Sequence, residues 1–267
     1  MFRLLLPLLI LALLLGGCQK GTYKIPREEF TQQVRTLGVM PILIDEGSTV
    51  VHPQRAEVLS LLRRHSAGRE DRLIQILRDT GPFFDVRLIN QDPRQIFPRL
   101  VSPSTSSAED ALPYVFSPAA ARQLAEDVVV DALLVVILHG RELVEKRWDR
   151  DRTRLNYLEA PYNNILALAV VIDRDGQVLW RLGSGPGDLF LALQYADFDE
   201  AFYNKADAVR LKFLTLEGVE RTLAETPSGL LSRTGFPRLH GDLFDRIGRG
   251  LKPGVLQRLG GGARPQQ

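Results

Sequence analysis

Two stretches of this chain are apolar at every position, and they leave little choice of fold. Ala132–Leu138 (ALLVVIL) and Ile165–Ile172 (ILALAVVI) have no polar parity. A strand that alternates apolar and polar residues covers one face of a core. A strand apolar on both parities must be buried on both faces. Such strands belong in the middle of a sheet, with layers packed above and below it. The second run passes through Asp173-Arg174-Asp175-Gly176 into Gln177–Arg181 (QVLWR). Two strands joined by a short Asp-Gly loop make a hairpin.

The flanking pattern supplies the other elements. Leu37–Ile44 (LGVMPILI) is the first strand, with Pro41 at an edge, a bulge or the strand end because it cannot donate to a ladder. Helical pattern follows Pro53 from about Gln54 to His65 and resumes from Glu70 to Thr80, where Gly81-Pro82 stops it. Phe84, Val86 and Leu88 alternate with Asp85 and Arg87, the mark of a half-exposed strand over Phe83–Asn90. Residues 91–116 are rich in Pro and Ser and form the longest loop. Ser117 as N-cap and Pro118 as first helical residue open a helix over Ala119–Asp127. From Phe198 to Leu223, the positions Phe202, Ala206, Val209, Phe213, Leu216, Glu220 and Leu223 recur at spacings of four and three, all apolar but Glu220. They describe one long helix covering the sheet, with Asp197 and Glu200 at capping-box spacing. The expected architecture is α/β: a layered mixed sheet of about five strands with helices packed on it.

The N-terminus says where such a domain works. Arg3 is the only charge before Lys20, and Leu4–Leu15 is an apolar run broken only by a proline. That is a secretory signal, too short to cross a bilayer as a stable helix. Leu15-Gly16-Gly17-Cys18 resembles the bacterial lipobox, in which the cysteine is lipidated and becomes the first mature residue. Cys18 is also the only cysteine, so no disulfide framework accounts for it. Gln19 rather than Asp follows it, which in the enterobacterial sorting pattern favours the outer membrane. The expected organisation is a signal peptide over 1–17, a tether over 18–35, an α/β periplasmic domain over 36–226 and a basic, poorly ordered tail over 227–267.

Without residues 1–17 the chain carries 33 basic against 32 acidic residues. This near-neutral balance, like the compartment, argues against a nucleic-acid partner. The charge is uneven. Residues 227–267 hold seven basic residues against Asp242 and Asp245, a surplus of five. A basic tail of this kind gains roughly 1 kcal/mol per cation at an anionic lipid surface.

The order of elements resembles a group of bacterial envelope proteins: the lipoprotein activators of peptidoglycan synthases, the curli secretion-channel lipoprotein and the N-terminal domain of TolB. The shared features are the early strand ending near a proline (Leu37–Pro41) and the Asp-Ala-hydrophobic strand Asp131-Ala132-Leu133-Leu134-Val135-Val136. The third is the pair Val171-Ile172-Asp173 and Val178-Leu179-Trp180 about Gly176. The resemblance spans about residues 36–225. It implies an anticodon-binding-type α/β domain and a non-catalytic role, docking onto, activating or assembling another envelope protein. A pore subunit is not expected: residues 141–162 are charged on both parities and 91–116 are Pro/Ser-rich, so neither offers alternating strands of about 9–11 residues.

Catalytic chemistry has little to stand on. His52, His65, His139 and His240 are scattered, without metal-ligand spacing. His139 ends the first buried strand, where ligands gather in open α/β sheets, but its charged neighbours Arg141 and Glu142 suggest a solvated strand exit. Asp149, Asp151, Asp173 and Asp175 lack the glycine and glutamate of a calcium loop. Gly183-Ser184-Gly185-Pro186-Gly187-Asp188 has neither a phosphate-loop ending nor a nucleophile elbow. No cofactor or metal is expected. Aromatic residues favour interface hot spots, and Trp148, Tyr157, Tyr162 and Tyr195 are the candidates for partner contact. The reading is therefore an outer-membrane lipoprotein, held by lipidated Cys18, that binds an envelope protein from the periplasmic side. The alternatives are an anchored hydrolase of cell wall or lipid with a site near His139 and residues 140–162, and a small-ligand module. Oligomeric state is not legible in the sequence.

Overall fold

The computed structural model describes residues 22–106, 111–149, 157–183, 188–205, 209–227 and 235–253. In chain order the elements are β1 (Thr22–Tyr23), α1 (Arg27–Gln33), β2 (Thr36–Val39), β3 (Leu43–Asp45), α2 (Arg55–Ser66), α3 (Glu70–Thr80) and β4 (Asp85–Leu88). Then come α4 (Pro93–Leu100), β5 (Val101–Pro103), β6 (Tyr114–Phe116), α5 (Pro118–Val128), β7 (Ala132–Trp148), β8 (Tyr157–Asp173) and β9 (Val178–Leu182). The last are β10 (Leu189–Ala192), β11 (Gln194–Asp197), α6 (Phe198–Tyr203), β12 (Arg210–Phe213), α7 (Leu216–Ala224) and α8 (Arg238–Leu251).

The main sheet has eight strands rather than about five. Its order is β1-β9-β8-β7-β2-β4, with β10 also on β8 and β3 also on β7. Strands β2, β3 and β4 belong to the parallel part, while β8 runs antiparallel to β7 along all 17 residues. Pro41 lies where the first predicted strand breaks in two: β2 pairs with Ala132–Leu134 and β3 with Ile137–His139. Both sheet faces are covered, which is why the two runs carry no polar parity. Ala132, Leu134, Val136 and Leu138 pack with Phe30, Leu62, Leu77, Leu223 and Phe244 from α1, α2, α3, α7 and α8. Leu133, Val135 and Ile137 point the other way, to Ile96, Leu100, Ala121 and Leu124 of α4 and α5.

Local signals explain the joints. Asp92 and Ser117 cap α4 and α5, accepting from the amides of Arg94 and Ala120, each ahead of a first-position proline. The predicted hairpin turn is present: Asp173 Oδ1 accepts from the amides of Asp175 and Gln177, and Gly176 takes φ +72°, a conformation open to glycine. Val129, after α5, is different. It sits at φ 55° and ψ 65°, where a β-branched residue is strained. Val129→Gly is expected to raise stability by about 1 kcal/mol, read from the urea midpoint of the mature chain. A lower midpoint would refute the strain.

Five expectations change. The tether is shorter than 18–35, because Tyr23 pairs with Trp180 and Phe30 and Val34 are buried in the core. Residues 91–116 contain α4, β5 and β6 and bury Ile96, Leu100 and Tyr114; the prolines that suggested a loop sit at helix position one, within α4 and at a strand end. Charge did not prevent residues 141–148 and 157–162 from extending the hairpin, since two strands can pair in solvent when their polar residues bond across the ladder. The long helix over 198–223 is two short helices around β12, and its stripe member Phe202 is 59% exposed; the four-three spacing was coincidental. The tail contains α8, whose Leu243, Phe244, Ile247 and Leu251 are buried against the sheet.

Candidate docking surface

Beyond Gly140 the β7–β8 pair leaves the layered core, and its two faces diverge. One face carries a half-buried polar network. Arg147 donates to Glu145 Oε2 (2.9 Å), to the Gln194 carbonyl (2.6 Å) and to Asn164 Oδ1 (2.8 Å). Asn164 Nδ2 donates to Glu145 Oε1 at 2.8 Å, and the guanidinium lies 3.9 Å from the Tyr162 ring centroid. Gln194 Oε1 accepts from both the amide and the side chain of Asn163. Guanidinium geometry suits this multiple bonding, and the result fastens β11 to the hairpin.

The other face is aromatic and exposed. Trp148 and Tyr157 are register partners with ring centroids 5.0 Å apart. Lys146 Nζ lies 3.7 Å from the Tyr157 centroid and 5.5 Å from that of Trp148. Val144, opposite Pro161, is exposed. Trp148 also borders a cleft of about 570 Å³ completed by Leu189, Ala192 and Tyr195–Asp199. Next to it Asp197, at the end of β11, precedes α6; its carboxylate caps the Glu200 amide and pairs with Lys212. Lys212 bonding holds the Asp197 carboxyl below its usual range. Helix α6 displays Phe202 and Tyr203, stacked edge to face at 5.1 Å.

Three of the four aromatic candidates therefore sit together at the surface: Trp148, Tyr157 and Tyr195, each a little under half exposed. Tyr162 does not. It is fully buried, because its parity places it under Arg147, and its hydroxyl donates to the Leu158 carbonyl. Sequence reasoning missed Phe202, Tyr203 and Val144 as surface residues. The alternation of Val144, Lys146 and Trp148 against Leu143, Glu145 and Arg147 was the available signal.

His139 is not a solvated strand exit. It is 6% exposed, beside β3, with its ring edge-on to Tyr114 at 5.8 Å. Tyr114 Oη donates to Asp45 Oδ2 at 2.7 Å. Burial, followed by the hydrogen bond to Asp45 and that group's charge, pushes the Tyr114 hydroxyl far above its ordinary value. Burial also lowers the His139 pKa, against the opposing pull of Asp45. His139 Nε2 has no hydrogen-bond partner among the described residues. His52 is spoken for, with Nε2 2.8 Å from the Leu214 carbonyl and Nδ1 accepting from the Gln54 amide. Among the described residues no group of three or more His, Cys, Asp or Glu converges to hold a metal. No helix among them is long and apolar enough to cross a membrane. Cys18 and Ser184–Gly187 of the glycine-rich stretch lie outside the described residues.

No family model matches the chain. No curated protein matches it either. Among solved structures, the PelC dodecamer from Paraburkholderia phytofirmans is 12% identical, covering 83% of this chain and 91% of that one, with a TM-score of 0.29. A hypothetical protein from Chlamydia trachomatis is 13% identical, covering 81% of this chain and 96% of that one, with a TM-score of 0.24. Similarity at this level carries no argument about fold or role.

Proposed function

We propose that this chain is a bacterial outer-membrane lipoprotein, anchored by lipidated Cys18 and facing the periplasm, that acts without catalysis by docking onto another envelope protein. The finer fold reading, an anticodon-binding-type domain like those of the envelope lipoproteins it resembles, belongs to the same proposal. One observation carries the docking role: Trp148 and Tyr157 on the β7–β8 extension and Tyr195 on the neighbouring β11 share one surface, stiffened by a partly buried polar network. Aromatic side chains presented on a rigid element are the usual anchors of protein interfaces. The hydrolase alternative rests on His139, whose Nε2 is buried with no hydrogen-bond partner among the described residues.

The test is capture of partners from detergent-solubilised envelopes by the tagged mature chain. Trp148→Ala with Tyr157→Ala is expected to lower recovery of a specific envelope partner at least about tenfold, since hot-spot aromatics are worth ~2 kcal/mol each. A Cys18→Ser chain, run alongside, is expected to leave the membrane fraction. Undiminished capture by the double variant sinks the surface assignment. Hydrolysis of cell-wall or lipid substrate that disappears in His139→Ala sinks the non-catalytic reading.

A further inference from the structure

Helix α8 is held against the rest of the molecule around one fully buried histidine, His240, in its first turn. The imidazole meets Phe190 of β10 at 5.1 Å and Phe244 at 6.2 Å, both near edge to face. Its Nε2 lies 3.3 Å from Ser66 Oγ at the end of α2. Its Nδ1 has no hydrogen-bond partner among the described residues. The charged groups that bear on it are cationic or ionisable to cations: Arg69, between α2 and α3, and His65, in the last turn of α2. The carboxylates of adjoining elements are turned elsewhere. Glu220 of α7 faces Arg64 (3.2 Å) and His65 (3.8 Å), and Asp188, just before β10, faces Arg246 of α8 (3.9 Å).

A cage of this kind accepts a neutral imidazole and rejects an imidazolium. The aromatic rings offer no strong acceptor for a second N–H, one hydroxyl serves one nitrogen, and a new cation would meet Arg69. Beyond the apolar packing of Leu243, Phe244, Ile247 and Leu251, the polar attachments of α8 are few. Tyr23 Oη donates to the Gly250 carbonyl at 3.4 Å, Arg238 pairs with Glu225 at 2.7 Å and Arg246 with Asp188 at 3.9 Å, while Gly248 rests against Ile76 too closely for a Cβ. The helix adds no strand to the sheet.

We propose that α8 is an acid-released latch: protonation of His240 undocks this helix from α2, α3 and β10 while the β7–β8 core stays folded. Release bares Leu243, Phe244, Ile247 and Leu251 together with the apolar surface they cover. The proton balance has a definite sign. Burial first, then Arg69 and His65, lowers the His240 pKa from its ordinary 6.5 to about 4 in the docked state. The undocked helix binds a proton near the ordinary value and the docked one does not, so docking is complete above that value and weakens as the pH falls toward 4. From these two values the docking equilibrium falls about 20-fold between pH 7 and pH 5.

Hydrogen exchange of the wild-type mature chain, followed by mass spectrometry from pH 7 to pH 4.5 and corrected for intrinsic exchange rates, reads the latch without any variant. The α8 amides are expected to lose protection about 20-fold by pH 5 relative to β7 and β8, with onset near the ordinary histidine value. His240→Leu is expected to hold α8 protection level across that range. Constant protection of α8 in the wild type, or loss of equal size in β7, β8 and α8 together, overturns the proposal. So does an onset only below pH 5, which would assign the release to carboxylates.

Discussion

Asp131→Ala is expected to destabilise the protein by about 3 kcal/mol, through one carboxylate that joins the starts of two neighbouring parallel strands. Asp131 Oδ2 accepts from the Arg35 amide (3.1 Å), the Thr36 amide (2.8 Å) and the Thr36 hydroxyl (2.8 Å). The Asp131 amide in turn donates to the Thr36 carbonyl and hydroxyl, both at 3.0 Å. A hydrogen bond to an ionised group contributes about 1.5–3 kcal/mol, and the partial exposure of this carboxyl keeps the total below a simple sum. Partial burial raises its pKa, but the Thr36 and Arg35 bonds and the Arg174 charge outweigh it and hold the carboxyl below its ordinary 3.8. Its contribution is therefore present above that value and lost as the pH falls through the lower folded one. Urea denaturation at neutral pH measures the effect directly. A loss under about 1 kcal/mol would show that the β2–β7 register stands without the carboxylate.

The second large effect is expected at Arg147. Arg147→Met keeps the aliphatic stem over Tyr162 but leaves Glu145, Asn164 and the Gln194 carbonyl without their donor. Removing one partner of this partly buried ion pair costs about 2 kcal/mol, less than for a fully buried one, because the remaining charge loses its cation but keeps some solvent. The cost falls on the hairpin extension and β11, not on the layered core, so hydrogen exchange should rise over 141–148 and 157–164 while Ala132–Leu138 stays protected. Arg147→Lys is expected to restore little, since an ammonium cannot serve three separated acceptors from one plane. Partner capture should fall with Arg147→Met although Trp148 and Tyr157 are intact. Normal exchange in the extension, or normal capture from a loosened one, would remove the case that rigidity of this hairpin serves binding.

The docking surface also marks where periodicity stops being informative. Charge at residues 140–162 masked an alternation that becomes obvious once the strands are paired: Lys146 faces Glu159 on one side while Arg147 and Glu145 share Asn164 on the other. Tyr162 and Trp148 look equivalent in sequence, yet parity relative to a distant strand buries one and exposes the other. The histidines behave alike. His52, His139 and His240 are all buried, each for contacts supplied by elements far along the chain: Leu214, Tyr114 and Ser66.

What the sequence determined by itself was whatever nearest neighbours along the chain decide. Apolar runs on both parities required a central pair of strands covered on both faces, the Asp-Gly turn required the hairpin of the second run with the strand after it, and Ser117-Pro118 and Gly81-Pro82 set helix ends through local capping. Tertiary structure alone decided the rest. The burial of Phe30 and Phe244 at the two ends of the folded chain, the splitting of the supposed long helix about β12, and the assembly of Trp148, Tyr157 and Tyr195 depend on which distant surfaces remain uncovered after the core has formed. Hydrophobic burial is non-directional and favours any pairing that removes apolar area from water, so a single sequence shows which residues must be covered but not by what.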